Sequence, residues 1–164
     1  MVMMDAQTVR GGRAGPTFHQ AGGRGGRTIG AKRSILVEIL GLPVAARVDP
    51  AKPHDVRVGR ALLRDSLDEL PRVSAIVADR GYTGLRELAQ RRHLALDIKT
   101  PPPAPAGVPK RKRFFTPLAP LYRVEQAFAQ LGRWRRPARC FEGTESSAKA
   151  WLEVAAVGYM LGRV

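Results

Sequence analysis

An apolar run that ends in an acid constrains this chain most: residues 74–84 read SAIVADRGYTG. Ala75–Ala78 has the make-up of a short buried strand. Arg80-Gly81-Tyr82-Thr83-Gly84 cannot continue one, so Asp79 falls at a strand's end. In open α/β sheets ligands and catalytic groups collect at that edge, because the backbone turns there and side chains converge. Asp79 is therefore a candidate for chemistry, although taken alone it reads more readily as an Asp that opens a turn.

The rest of the chain supplies a setting for that strand. Val2–Thr8 predicts a strand with Asp5 set among Met3, Met4 and Ala6. An acid there costs free energy unless a cation or hydrogen-bond donors compensate it; a solvated terminus is the competing reading. Ser34–Leu40 and Val44–Val48, separated by Gly41-Leu42-Pro43, predict a hairpin. Asp55 is placed to cap a helix over Val56–Leu70, with Ala61, Leu62, Ser66, Leu67 and Leu70 on one stripe and Pro71 as its stop. A helix over Leu85–Arg92 and a strand over Leu94–Ile98 follow the central strand, so the order is β, β-hairpin, α, β, α, β.

Pro120–Arg136 (PLYRVEQAFAQLGRWRR) predicts a further helix, with Leu121, Val124, Phe128 and Leu131 on one face and Glu125 between Leu121 and Phe128. Arg133, Arg135 and Arg136 would make its last turn cationic, which suits both the helix dipole and phosphates. A final helix, capped by Thr144 or Ser146, carries Trp151, Leu152, Val154, Ala155, Tyr159 and Met160 and reads as core.

The 164 residues suffice for one domain with a core. Lys plus Arg number 28 against 14 acids, a formal charge of +14, and the excess lies at the two ends. A polyanion is the expected partner. Residues 10–33 are rich in Gly-Gly pairs and arginine but follow no dinucleotide or Walker pattern, and read as a flexible basic loop. Residues 100–113 read as a linker within the domain, proline-rich and then basic at Lys110, Arg111, Lys112 and Arg113. The single Cys140 excludes an internal disulfide framework, and His19, His54 and His93 show no zinc-ligand spacing. The first residues do not read as a signal peptide, and Trp151–Gly162 is too short to span a bilayer.

Three acids thus stand at apolar elements: Asp5, Asp79 and Glu125. The blocks around them, Met4-Asp5-Ala6-Gln7-Thr8-Val9, Val77-Ala78-Asp79-Arg80-Gly81-Tyr82-Thr83-Gly84 and Tyr122-Arg123-Val124-Glu125-Gln126-Ala127-Phe128, together with Gly30–Val37, resemble the DDE transposases of bacterial insertion sequences, in the group with a Tyr-Arg-Glu-Lys signature. The resemblance runs from about Val2 to Arg163. It implies one RNase H-like catalytic domain over residues 1–164, an α/β fold whose mixed sheet, antiparallel hairpin plus parallel strands, is flanked by helices.

It further implies that Asp5, Asp79 and Glu125 are catalytic and bind two magnesium or manganese ions. The activity would be endonuclease cleavage and strand transfer on double-stranded DNA, at transposon ends and target, by a homodimer in a synaptic complex. The DNA contacts expected are Lys32, Arg33, Lys110, Arg111, Lys112, Arg113, Arg123, Arg133, Arg135 and Arg136. The location expected is the bacterial cytoplasm at the nucleoid, with no membrane. Two departures stand out: Gly132 occupies the position of the family's lysine, a loss that Arg136, back on that face one turn later, would compensate in part, and Tyr122 and Arg123 lie closer to Glu125 than in the family. Only four residues precede Asp5, so the family's upstream DNA-binding region is expected to be absent, through truncation or a second reading frame. A catalytically inactive basic DNA-binding protein is the alternative. A structural RNA-binding protein is a third reading, under which the three carboxylates would be scattered.

Overall fold

A computed structural model describes residues 1–12, 18–23, 26–101 and 118–163. The four cations Lys110–Arg113, most of the proline-rich stretch, and Arg13 and Arg24 lie outside the described residues.

The sheet is built around β1 (Val2–Arg10). Along one edge β1 pairs antiparallel with β3 (Thr28–Glu38), from Val2 opposite Glu38 to Arg10 opposite Gly30. The far edge of β3 takes β4 (Pro43–Pro50) and, beyond it, the short β2 (Gln20–Gly22), both antiparallel. Along its other edge β1 pairs parallel with β5 (Ala75–Asp79), which pairs parallel with β6 (Ala95–Lys99). This is the RNase H-like mixed sheet, an antiparallel hairpin continued by parallel strands. The turn from β3 to β4 requires Gly41, whose φ of +89° suits a residue without a side chain, and Glu38 closes it by accepting from the Leu42 amide at 2.9 Å.

The hairpin is longer than its apolar runs suggest, because Thr28–Arg33, inside the stretch read as a basic loop, belongs to β3. Lys32 and Arg33 break the apolar pattern there. The sheet accepts both because they point to opposite faces and each meets polar partners.

Alternation along β1 and β5 divides the core in two. Met3, Ile35, Val37 and Val77 pack beneath α3 (Tyr122–Leu131) and α5 (Glu145–Leu161) through Val124, Phe128, Leu131 and Leu152. Val2, Met4, Leu36, Ile76 and Ala78 pack on the other face against Leu62 and Leu63 of α1 (Asp55–Ser66), with Tyr82 and Leu85 of the 3₁₀ turn Arg80–Leu85. Full burial of each such side chain is worth about 1.5–3 kcal/mol, so these two layers hold the fold.

Three helix boundaries differ from expectation. Asp55 does not cap α1; His54 stands at the cap without a side-chain bond, and Asp55 is the first helical residue. There its charge still favours the helix dipole, and its carboxylate is taken by Lys32 at 2.6 Å. The helix after β5 is shortened to α2 (Arg86–Arg91), since Asp79 starts the 3₁₀ turn before it. The predicted helix through Arg136 stops at Leu131, and a separate short helix, α4 (Arg135–Ala138), follows an extended Trp134. Gly132 is a poor helix former, and Pro137 could not have donated within a continuous helix, whereas a new first turn tolerates it. Thr144 caps α5 as expected, accepting from the Ser147 amide at 3.2 Å, a bond worth about 1 kcal/mol.

Candidate active site

The parallel register fixes the two aspartates. Val2 stands opposite Ile76 and Met3 opposite Val77, and the same register carried forward brings Asp5 level with Asp79. Paired residues of a parallel ladder share a face, and alternation gives Asp5 and Asp79 the face of Met3 and Val77. That is the face covered by α3, the helix that bears Glu125. Glu125 is exposed at the edge of the packed stripe, next to buried Val124.

Asp5 is the electrostatically unusual member. Burial pushes its carboxyl up to about 7 against the donation of the Ala6 amide, and the charges of Asp79, Asp55 and Glu125 push it further in the same direction. The charges of the other two acids singled out from the sequence, Asp79 and Glu125, therefore both reach Asp5. Asp79 anchors its end of the site by accepting from the Gly81 amide at 2.8 Å. The Tyr82 phenol, raised by burial and then by Asp5, Asp55 and Asp79, lies beneath the same cluster.

Asp55 was legible only as a helix start, yet it contributes a fourth carboxylate to this field. Its chain position after β4 gives no sign of this; the packing of α1 across the sheet does. Lys32, which projects to the α1 face, answers it with an ion pair and donates to the Pro53 carbonyl.

Among the described residues no three His, Cys, Asp or Glu side chains stand close enough together to hold a metal ion. The donor set nevertheless suits one in kind: carboxylate oxygens are what hard divalent cations take, and a half-buried Asp5 beside like charges gains most from a cation. Asp5, Asp79 and Glu125 are the residues that would hold it.

The cations expected to touch DNA fall into different environments. Lys32 and Arg33 are only 6% and 4% exposed. Arg33 donates to the Pro137 carbonyl at 2.6 Å and to the Gln7 side chain, and lies over the Phe128 ring, with burial lowering its guanidinium to about 10. Both are engaged inside the protein. Arg136, whose helix is not that of Glu125, pairs with buried Glu142 at 2.8 Å and covers Trp151, so it does not stand in for the missing lysine. Arg135 rests over Phe141 and half-buried Arg123 over Tyr122. Arg133 is exposed and, among the described residues, held only by Gln130 at 3.3 Å.

A mixed sheet in this order, with two aspartates level on adjacent parallel strands and a glutamate on the covering helix, defines the class of RNase H-like carboxylate domains. Residues 1–106 match the transposase DDE domain family, and the chain belongs to that family. The match holds both aspartates and ends before α3, so Glu125 lies outside it. No curated protein matches the chain. Among the described residues no helix is long and apolar enough to cross a membrane.

Proposed function

We propose that this transposase domain carries out metal-dependent cleavage and strand transfer of double-stranded DNA, with Asp5, Asp79 and Glu125 as its catalytic carboxylates. The observation that supports this best is the level placement of Asp5 and Asp79 on the face that α3 covers. When bound, a pair of magnesium or manganese ions would polarise the attacking and leaving oxygens of an in-line displacement. The chain's part is to present ionised oxygens. Asp79 is kept oriented by the Gly81 amide. Asp5 must release a proton held at about neutral pH. Pairing of two copies on two DNA ends and residence at the nucleoid belong to the same reading.

The test is an assay on DNA carrying the flanking ends of the element, with and without magnesium. Nicked and joined products that need the metal and vanish in Asp79→Ala are expected; equal products from Asp79→Ala would overturn the assignment.

A second reading, a catalytically inactive basic DNA-binding protein, is favoured by the lack of three ligating side chains in reach of one ion among the described residues. Calorimetric titration with manganese separates the two: binding lost in Asp5→Asn supports the enzyme, and no heat in either protein supports the binder.

A further inference from the structure

Beyond Asp5 the catalytic strand and the catalytic helix run on together as the two walls of a groove of about 530 Å³. Gln7 and Val9, which follow Asp5 at two-residue steps on the same face of β1, form one wall. Ala129 and Gly132, four and seven positions after Glu125 and so on the same side of α3, belong to the other. The small residues Ala129 and Gly132 leave that wall low and the groove open. Arg10, Arg133 and Arg139 stand around it, all exposed, while buried Arg33 lies in its floor.

Among the described residues no acid lines this groove. Among the described residues Arg10, Arg133 and Arg139 take no part in an ion pair, in contrast to Arg47, Arg91, Arg92 and Arg136 elsewhere. Arg139 is steadied by Nε donating to the Gly11 carbonyl at 3.1 Å, which sets its guanidinium at the mouth near the end of β1. At about 3.3 Å per strand residue, Gln7 stands about 7 Å and Arg10 about 16 Å along the strand from Asp5.

We propose that this groove seats the sugar–phosphate backbone of the DNA strand leading to the carboxylates, with Arg10, Arg133 and Arg139 as its phosphate contacts. The assignment rests on the nucleic-acid reading of the carboxylate site and adds the path by which the strand reaches it. The shape fits a backbone: cations at the rim, small side chains along one wall, and a floor whose own cation has its two terminal nitrogens engaged by Pro137 and Gln7. Phosphate contacts of this kind position a strand and carry no sequence information.

The experiment measures binding of the full chain to a fluorescent DNA oligonucleotide by anisotropy without divalent metal, across a salt series. Wild type is compared with Arg10→Ala/Arg133→Ala/Arg139→Ala, and with Arg57→Ala/Arg72→Ala/Arg86→Ala, which removes the same charge away from the groove. Loss of three phosphate contacts should weaken binding at least about tenfold at moderate salt and flatten the log–log salt slope by about 2, with a much smaller change in the control. Ala129→Glu, an exposed substitution that sets a carboxylate in the groove, should weaken binding likewise and covers the case in which the triple variant does not fold. Equal losses in groove and control variants, or unchanged binding in Ala129→Glu, would overturn the proposal. The cleavage assay reports separately on the carboxylates: groove-dependent binding without cleavage would sink the nuclease reading alone, and cleavage undiminished in the groove variants would sink the groove alone.

Discussion

The parallel register that sets Met3 opposite Val77 carries Asp5 level with Asp79 on the neighbouring strand, Asp5 half-buried and Asp79 exposed at the sheet's edge. The difference in burial gives them different work. Asp79 is an open carboxylate oriented by a backbone amide, whereas Asp5 is held at the threshold of ionisation by the low-dielectric strand and the acids around it.

Asp5 consequently weakens the metal-free fold as pH rises. Its native value of about 7 lies above the ordinary 3.8 of the unfolded chain, so the folded state binds the extra proton between those values. The stability supplied by the protonated form is full below 3.8 and is lost as pH passes 7. Asp5→Asn, neutral throughout, should gain on wild type by about 1–3 kcal/mol at pH 8 and progressively less toward pH 5. Urea titrations at both pH values measure this, and a gain that does not grow with pH would refute it.

Proton and metal compete for the same oxygens. Manganese affinity should fall about tenfold per pH unit below 7 and level off above it, since one proton must leave Asp5 for an ion to bind. Calorimetry across pH 5.5–8.5 in wild type gives the profile. An affinity independent of pH in that range would remove Asp5 from the ligand set.

Arg33 is predicted to serve the fold and not the DNA. Arg33→Ala leaves the Pro137 carbonyl and Gln7 without their donor and opens a hole beneath Phe128, costing about 2–4 kcal/mol. Arg33→Lys should recover only part, because a compact ammonium lacks the planar guanidinium whose two separate NH2 groups reach Pro137 and Gln7 while lying over Phe128. The check is a lower denaturation midpoint at unchanged m value, with the salt slope of DNA binding unaltered.

Gly59 lets α1 close on the site from below. A Cβ there would lie 2.8 Å from the Tyr82 ring and 3.2 Å from the Met4 methyl, both fully enclosed. Alanine would gain roughly 1 kcal/mol of helix propensity, but overpacking an immobile ring costs about 1–3 kcal/mol and prevails. Gly59→Ala should melt at lower temperature than wild type.

Gly132→Lys should tighten DNA binding several-fold and steepen its salt dependence by about one phosphate contact. Gly132 has φ of −68°, open to any residue, and lines the groove beside Arg133. Anisotropy in the salt series used for the groove reads the change.

The sequence by itself determined the two aspartate strands, the hairpin, the capped final helix and a glutamate on an apolar helix, because each depends on local pattern: an acid that ends an apolar run, alternation, a Thr before a helix. It could not separate cations that face solvent from cations that hold the core. Lys32 and Arg33 look like a basic patch until β3 takes them into the sheet and finds them partners on either side. Nor could it show Asp55 reaching Asp5's field, Arg136 turning to Glu142, or Arg10 and Arg139, distant in the chain, meeting at one groove. Those relations depend on how strands register and helices cross, and a side chain's charge acts on whatever the folded chain brings within reach, at any sequence separation.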